Sequence, residues 1–142
     1  MKNFMLMACL LAISYASNPA KVKELYDYSD ICFRELNVPN EYTPFVAKCV
    51  LQKLKMINEQ DLLNKDKLMP YYDNIISDEL KLHQAKYIVS TCIDRANQGP
   101  GSNDEKTMLA ITCAMPVIPL FDKPLQEKVS VIEPDVNIYN KI

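Results

Sequence analysis

Cysteine placement constrains this chain more than any other feature. Cys32, Cys49, Cys92 and Cys113 stand behind an N-terminus built like a secretory signal peptide. Met1-Lys2-Asn3 leads into an almost entirely apolar run from Phe4 to Ile13, then a small-x-small site at Ser14-Tyr15-Ala16. That run is too short to span a bilayer, which takes roughly 20 apolar residues. We place cleavage after Ala16, making residues 1–16 a signal peptide and 17–142 a single domain. Cys9 leaves with the leader, and the mature chain keeps an even number of cysteines. Export makes them a disulfide framework rather than a metal or redox set. The expected location is secreted and extracellular.

The composition narrows the function classes. About 126 residues remain after cleavage, which suits one domain with a real core. Removing Lys2 from 16 basic residues against 18 acidic ones leaves a net charge of −3. No basic patch is evident, so nucleic acid is not an expected partner. No later apolar run is long enough for a membrane span. The two glycines, Gly99 and Gly101, share one loop. So few glycines disfavour turn-rich all-β folds and phosphate-cradling loops alike.

Helical signals fill the rest. Asn18-Pro19 pairs a capping residue with a proline at the first helical position. Val22, Leu25, Tyr26, Ser29, Cys32, Phe33 and Leu36 then recur at three- and four-residue steps. Asn37-Val38-Pro39-Asn40 breaks the pattern, and Thr43-Pro44 restarts it with Phe45, Val46, Cys49, Val50, Leu54 and Ile57 inward. Residues 58–65 form a polar connection. A shorter helix is expected from about Asp66 to Ile76, with Pro70 tolerated only near its start. Ser77-Asp78-Glu79 has cap chemistry. Beyond it, Leu80, His83, Gln84, Tyr87, Ile88, Thr91 and Cys92 are read as one face. Residues 97–103 contain Gly-Pro-Gly and form a loop. Asn103 or Asp104 caps a last helix with Met108, Ile111, Thr112 and Met115 inward. Pro116, Pro119, Pro124 and Pro134 rule out a further long helix. The tail 116–142 is expected to pack on the domain through residues such as Val117, Leu120, Phe121 and Leu125. The fold class is therefore all-α, a disulfide-stapled bundle of five to seven short helices. Four cysteines allow three pairings, and the residues alone do not choose among them. Cys32–Cys49 and Cys92–Cys113 are favoured because each joins neighbouring helices across one loop, worth roughly 3 kcal/mol per bridge in the chain-entropy model.

These spacings resemble the insect odorant-binding proteins of the pheromone-binding and general-odorant-binding family. Members typically carry six cysteines, with three residues between the second and third and eight between the fifth and sixth. Cys49 looks like the third, and forty-two residues lead on to Cys92, which looks like the fourth. Cys113 looks like the sixth. Phe45 and Asp104 then replace the second and fifth in register, the pattern of the four-cysteine Minus-C subgroup. The resemblance implies bridges Cys32–Cys49 and Cys92–Cys113. Only sixteen residues separate Cys32 from Cys49, about a dozen fewer than usual, so one helix is shortened or absent. The match covers roughly Val22 to Phe121. It implies helices around an apolar cavity, a small hydrophobic ligand (an odorant, pheromone or similar semiochemical), and an olfactory receptor as a further partner. A monomer or weak homodimer is expected.

A cavity of that kind needs large, flexible, nonpolar linings. The ligand-binding candidates are Phe45, Leu54, Leu68, Met69, Tyr72, Ile76, Leu80, Tyr87, Ile88, Met108, Ile111, Met115 and Phe121, with ordinary core packing as the competing role for each. Tyr72, Tyr87 or Thr91 would supply a polar contact. Phe45 could fill the space of the missing bridge. His83, the sole histidine, could titrate near neutrality or simply sit half-exposed on a helix. It leaves no His-based zinc site, and no Ser-His-Asp triad is discernible. Asp78-Glu79 and Asp104-Glu105 suit helix starts better than glycosidase carboxylates. No enzyme activity, cofactor or metal is expected. The function is a secreted carrier; the alternatives are a salivary, venom or reproductive-fluid interaction protein of the same fold, and a small hydrolase or hydrolase inhibitor.

Overall fold

Each helix starts where a side chain accepts a hydrogen bond from an otherwise unpaired N–H of the first turn. A computed structural model describes residues 17–124; the expected signal peptide, Cys9 and the tail from Leu125 lie outside the described residues. Asn18 accepts from the Ala20 N–H at 3.0 Å and opens α1 (Pro19–Glu35). Thr43 accepts from Val46 and opens α2 (Pro44–Lys53). Asn64 opens α3 (Lys65–Ile75), and Asp78 opens α4 (Glu79–Gln98). The cap of α5 (Asn103–Ala114) is Ser102, one residue earlier than expected, because Glu105 completes a capping box with it. A 3-10 helix, Met115–Leu120, follows directly. The fold is all-α.

Scarce glycine shows at the helix ends. Asn37 and Lys55 take left-handed φ values of 52° and 60° where glycine is usual. The next N–H groups then return to carbonyls inside the helix, Val38 to Phe33 and Met56 to Leu51. Pro70 lies in the middle of α3 rather than at its start. The helix tolerates it because the carbonyl deprived of a donor belongs to exposed Asp66 in the first turn.

The connection from α2 to α3 is more than a polar link. Ile57 and Leu63 form an isolated antiparallel bridge. Asn58 Oδ1 accepts from the Gln60 and Leu62 N–H groups, both at 3.0 Å. From α5, Asn103 Nδ2 donates to the Gln60 carbonyl and Thr107 Oγ1 to the Asp61 carbonyl, fastening the turn.

Both favoured bridges are present. Cys32–Cys49 ties α1 to α2 with Cα atoms 5.9 Å apart, and Cys92–Cys113 ties α4 to α5 at 5.7 Å. α4 packs most extensively on α5 and also meets α3 and the 3-10 helix. Its inward face differs from the expected one. Ala85, Val89, Cys92, Ile93 and Ala96 are buried, while Leu80, His83, Gln84 and Tyr87 face out. Small alanines let neighbouring backbones approach, which the bulkier residues would prevent. On α5 the buried residues are Thr107, Ala110 and Ile111, and Thr112 is exposed; its hydroxyl instead donates to the Met108 carbonyl.

Candidate functional site

The helices leave an apolar cavity of about 80 Å³ for the centres of water-sized molecules. One water needs only about 10–15 Å³ on that measure. All five α-helices and the 3-10 helix contribute to the wall. Leu25 comes from α1 and Val50 from α2. Leu68, Tyr71, Tyr72 and Ile75 come from α3. Val89 and Ile93 come from α4, and Ala110 and Ile111 from α5. Each sits inward by the three- and four-residue rhythm of its own helix.

The 3-10 helix closes the cavity as a strap. Met115, Val117, Ile118 and then Phe121 line it. Phe121 stacks on Tyr72 with ring centroids 5.9 Å apart. The strap is latched just past α3. The Asp122 N–H donates to the Ile75 carbonyl at 2.8 Å, and the Asp122 carboxylate accepts from the Ser77 N–H and hydroxyl at 3.1 Å.

Among the described residues, three tyrosines bring the only hydroxyls to the wall. Tyr42 contacts Ser29 and meets Phe33 edge-on at 5.4 Å. Burial raises its pKa, against the lowering effect of the Ser29 hydrogen bond. Burial likewise pushes the Tyr71 and Tyr72 phenols well above the ordinary value. All three stay neutral and protonated at physiological pH.

Among the expected site residues, Leu54, Leu68, Tyr72, Ile111, Met115 and Phe121 come together on the wall. Ile76 is buried in the core but off the cavity. Met69, Ile88, Met108 and Thr91 are half-buried and also off it. Phe45, Leu80 and Tyr87 do not line the cavity; they are 68%, 71% and 74% exposed. Leu80 and Tyr87 lie on the outer face of α4. Phe45 fills no vacated bridge site. One turn later on α2, Lys48 pairs instead with Asp104 of α5 at 2.7 Å. His83 is exposed, its Nε2 3.9 Å from Glu79 on the same helix and away from the cavity.

Leu25, Val50, Tyr71, Ile75, Val89 and Ile93 were missed, although two signals pointed to them. Stepping from Cys32 and Cys92 by multiples of three and four reaches Leu25, Val89 and Ala85. Tyr71 and Ile75 lie one turn apart on α3. Among the described residues no group of three or more His, Cys, Asp or Glu side chains could hold a metal ion. No helix of the described residues is long and apolar enough to cross a membrane.

Residues 31–118, more than half of the chain, match the ant venom allergen Sol i 2 family. The chain belongs to that family.

Proposed function

We propose that this member of the ant venom allergen Sol i 2 family is a secreted carrier that reversibly encloses a small apolar molecule. The observation that carries this reading is the cavity itself, walled by aliphatic and aromatic side chains from every helix. A solid core would serve stability better, because a void forfeits dispersion contacts along its whole lining. An apolar guest restores them, at about 25 cal/mol for each Å² removed from water. In this reading the guest leaves chemically unchanged.

Binding of a fluorescent apolar probe, and its displacement by small volatile compounds, tests the reading. Ala114 lines the cavity but is only half-buried, so Ala114→Phe fills the space with little risk to the fold. We expect it to weaken probe binding at least tenfold while circular dichroism stays native. A native protein that binds no probe overturns the carrier reading. It would favour a second one, a venom component acting on a partner protein, of which the family's description supports the venom setting. An olfactory role would rest on expression in antennae rather than glands.

A further inference from the structure

The three wall hydroxyls differ in what their protons already do. Ser29 Oγ donates to the Leu25 carbonyl at 2.8 Å, so in its contact with Tyr42 it must accept, and the Tyr42 proton is engaged there. Tyr71 Oη donates to the Lys21 carbonyl at 3.3 Å. Tyr72 Oη makes no hydrogen bond to another described residue, and its ring stacks on Phe121. Yet Tyr72 is only 6% exposed, and burial alone accounts for its raised pKa. No described side-chain polar atom is both sealed off and unpaired, so this hydroxyl opens on the cavity its residue lines. A donor that faces a cavity with no acceptor among the described residues is free to bond whatever occupies that cavity.

We infer that Tyr72 is a specificity-determining residue whose hydroxyl donates a hydrogen bond to the guest. The cavity thereby selects a neutral, mainly apolar molecule with one acceptor, such as a carbonyl or ester oxygen, over a hydrocarbon of the same shape. This rests on the carrier reading. The guest is neutral because no Lys, Arg or His lines the wall to balance a buried charge. It carries an acceptor because, among the described residues, Tyr72 brings the one wall hydroxyl without a hydrogen-bond partner. The Phe121 stack holds the phenol ring, and with it the O–H, at a fixed position along the wall.

Tyr72→Phe keeps the ring, its volume and the stack while deleting the hydroxyl. Two measurements bear on it. In the unliganded protein, the urea midpoint of Tyr72→Phe is expected to equal or exceed the native one, whereas Tyr42→Phe and Tyr71→Phe lower theirs. In displacement of a fluorescent naphthylamine probe, a methyl ketone is compared with the alkene in which CH2 replaces its oxygen. The ketone-to-alkene affinity ratio is expected to fall about three- to tenfold in Tyr72→Phe, with alkene affinity unchanged within about twofold. A bound probe with an unchanged ratio overturns the inference and leaves the carrier reading standing. Loss of stability in Tyr72→Phe also overturns it, because the hydroxyl would then already have a partner. A native protein that binds no probe overturns both.

Discussion

The cavity has two kinds of wall. On one side, α1–α2 and α4–α5 are pairs clasped by disulfides. On the other, α3 and the strap are held only by noncovalent contacts. The Asn18 N–H reaches the Asn74 carbonyl, Tyr71 reaches Lys21, Lys86 pairs with Asp73, and Asp122 grips Ser77. Local opening takes place where the fewest bonds must part. In the carrier proposed above, the clasped pairs would keep the vessel in shape and the unclasped wall, which also carries Tyr72, would be the route for a guest.

The contrast can be broken most forcefully at a clasp. Replacing Cys92 and Cys113 together with serine should cost about 3 kcal/mol, read from the urea midpoint. If hydrogen exchange then rose no more in α4 and α5 than in α3, the division into two walls would be wrong. Alkali should act on the other wall. Tyr71 and Tyr72 retain their protons above 10, the ordinary tyrosine value at which the unfolded chain gives them up. Stability is therefore fully present below pH 10 and declines as pH climbs towards the folded values, by about 1.4 kcal/mol per pH unit for each phenol. Phenolate absorbance should show these two rings ionising only as the protein unfolds. The smallest effect sharpens the comparison. Asp122→Ala removes the grip on Ser77 and should lower global stability by about 1 kcal/mol, since the pair is partly exposed. Exchange should accelerate chiefly at residues 115–122. Uniform acceleration through the clasped helices would show that the strap is no separate unit.

Short-range chemistry was legible in the sequence, because it depends on neighbours along the chain. Asn18-Pro19, Thr43-Pro44 and Asp78 announced helix starts that the structure has. The bridge partners were favoured as neighbours across one loop and implied by the family resemblance, and the structure has both. Orientation was harder. On α4, side-chain size favoured Leu80 and Tyr87 over Ala85 and Ala96, yet closeness of packing buries the alanines. Only Cys92 belonged to both readings of that face. The Ile57–Leu63 bridge was not legible, because it depends on Asn58 turning the backbone and on partners in α5. About half of the candidate residues lie on the cavity wall. The others are large residues chosen by size, where the direction of the side chain decides.

The turn between α2 and α3 carries a consequence for how this chain can diverge. Its anchors on the turn side are the carbonyls of Gln60 and Asp61, atoms that every amino acid possesses. Substitutions of the Gln60 side chain can therefore accumulate without altering the path of that outer rim, whereas Asp61, at a left-handed φ of 64°, is limited to residues that tolerate it. The power to release it rests with Asn103 and Thr107, more than forty positions downstream.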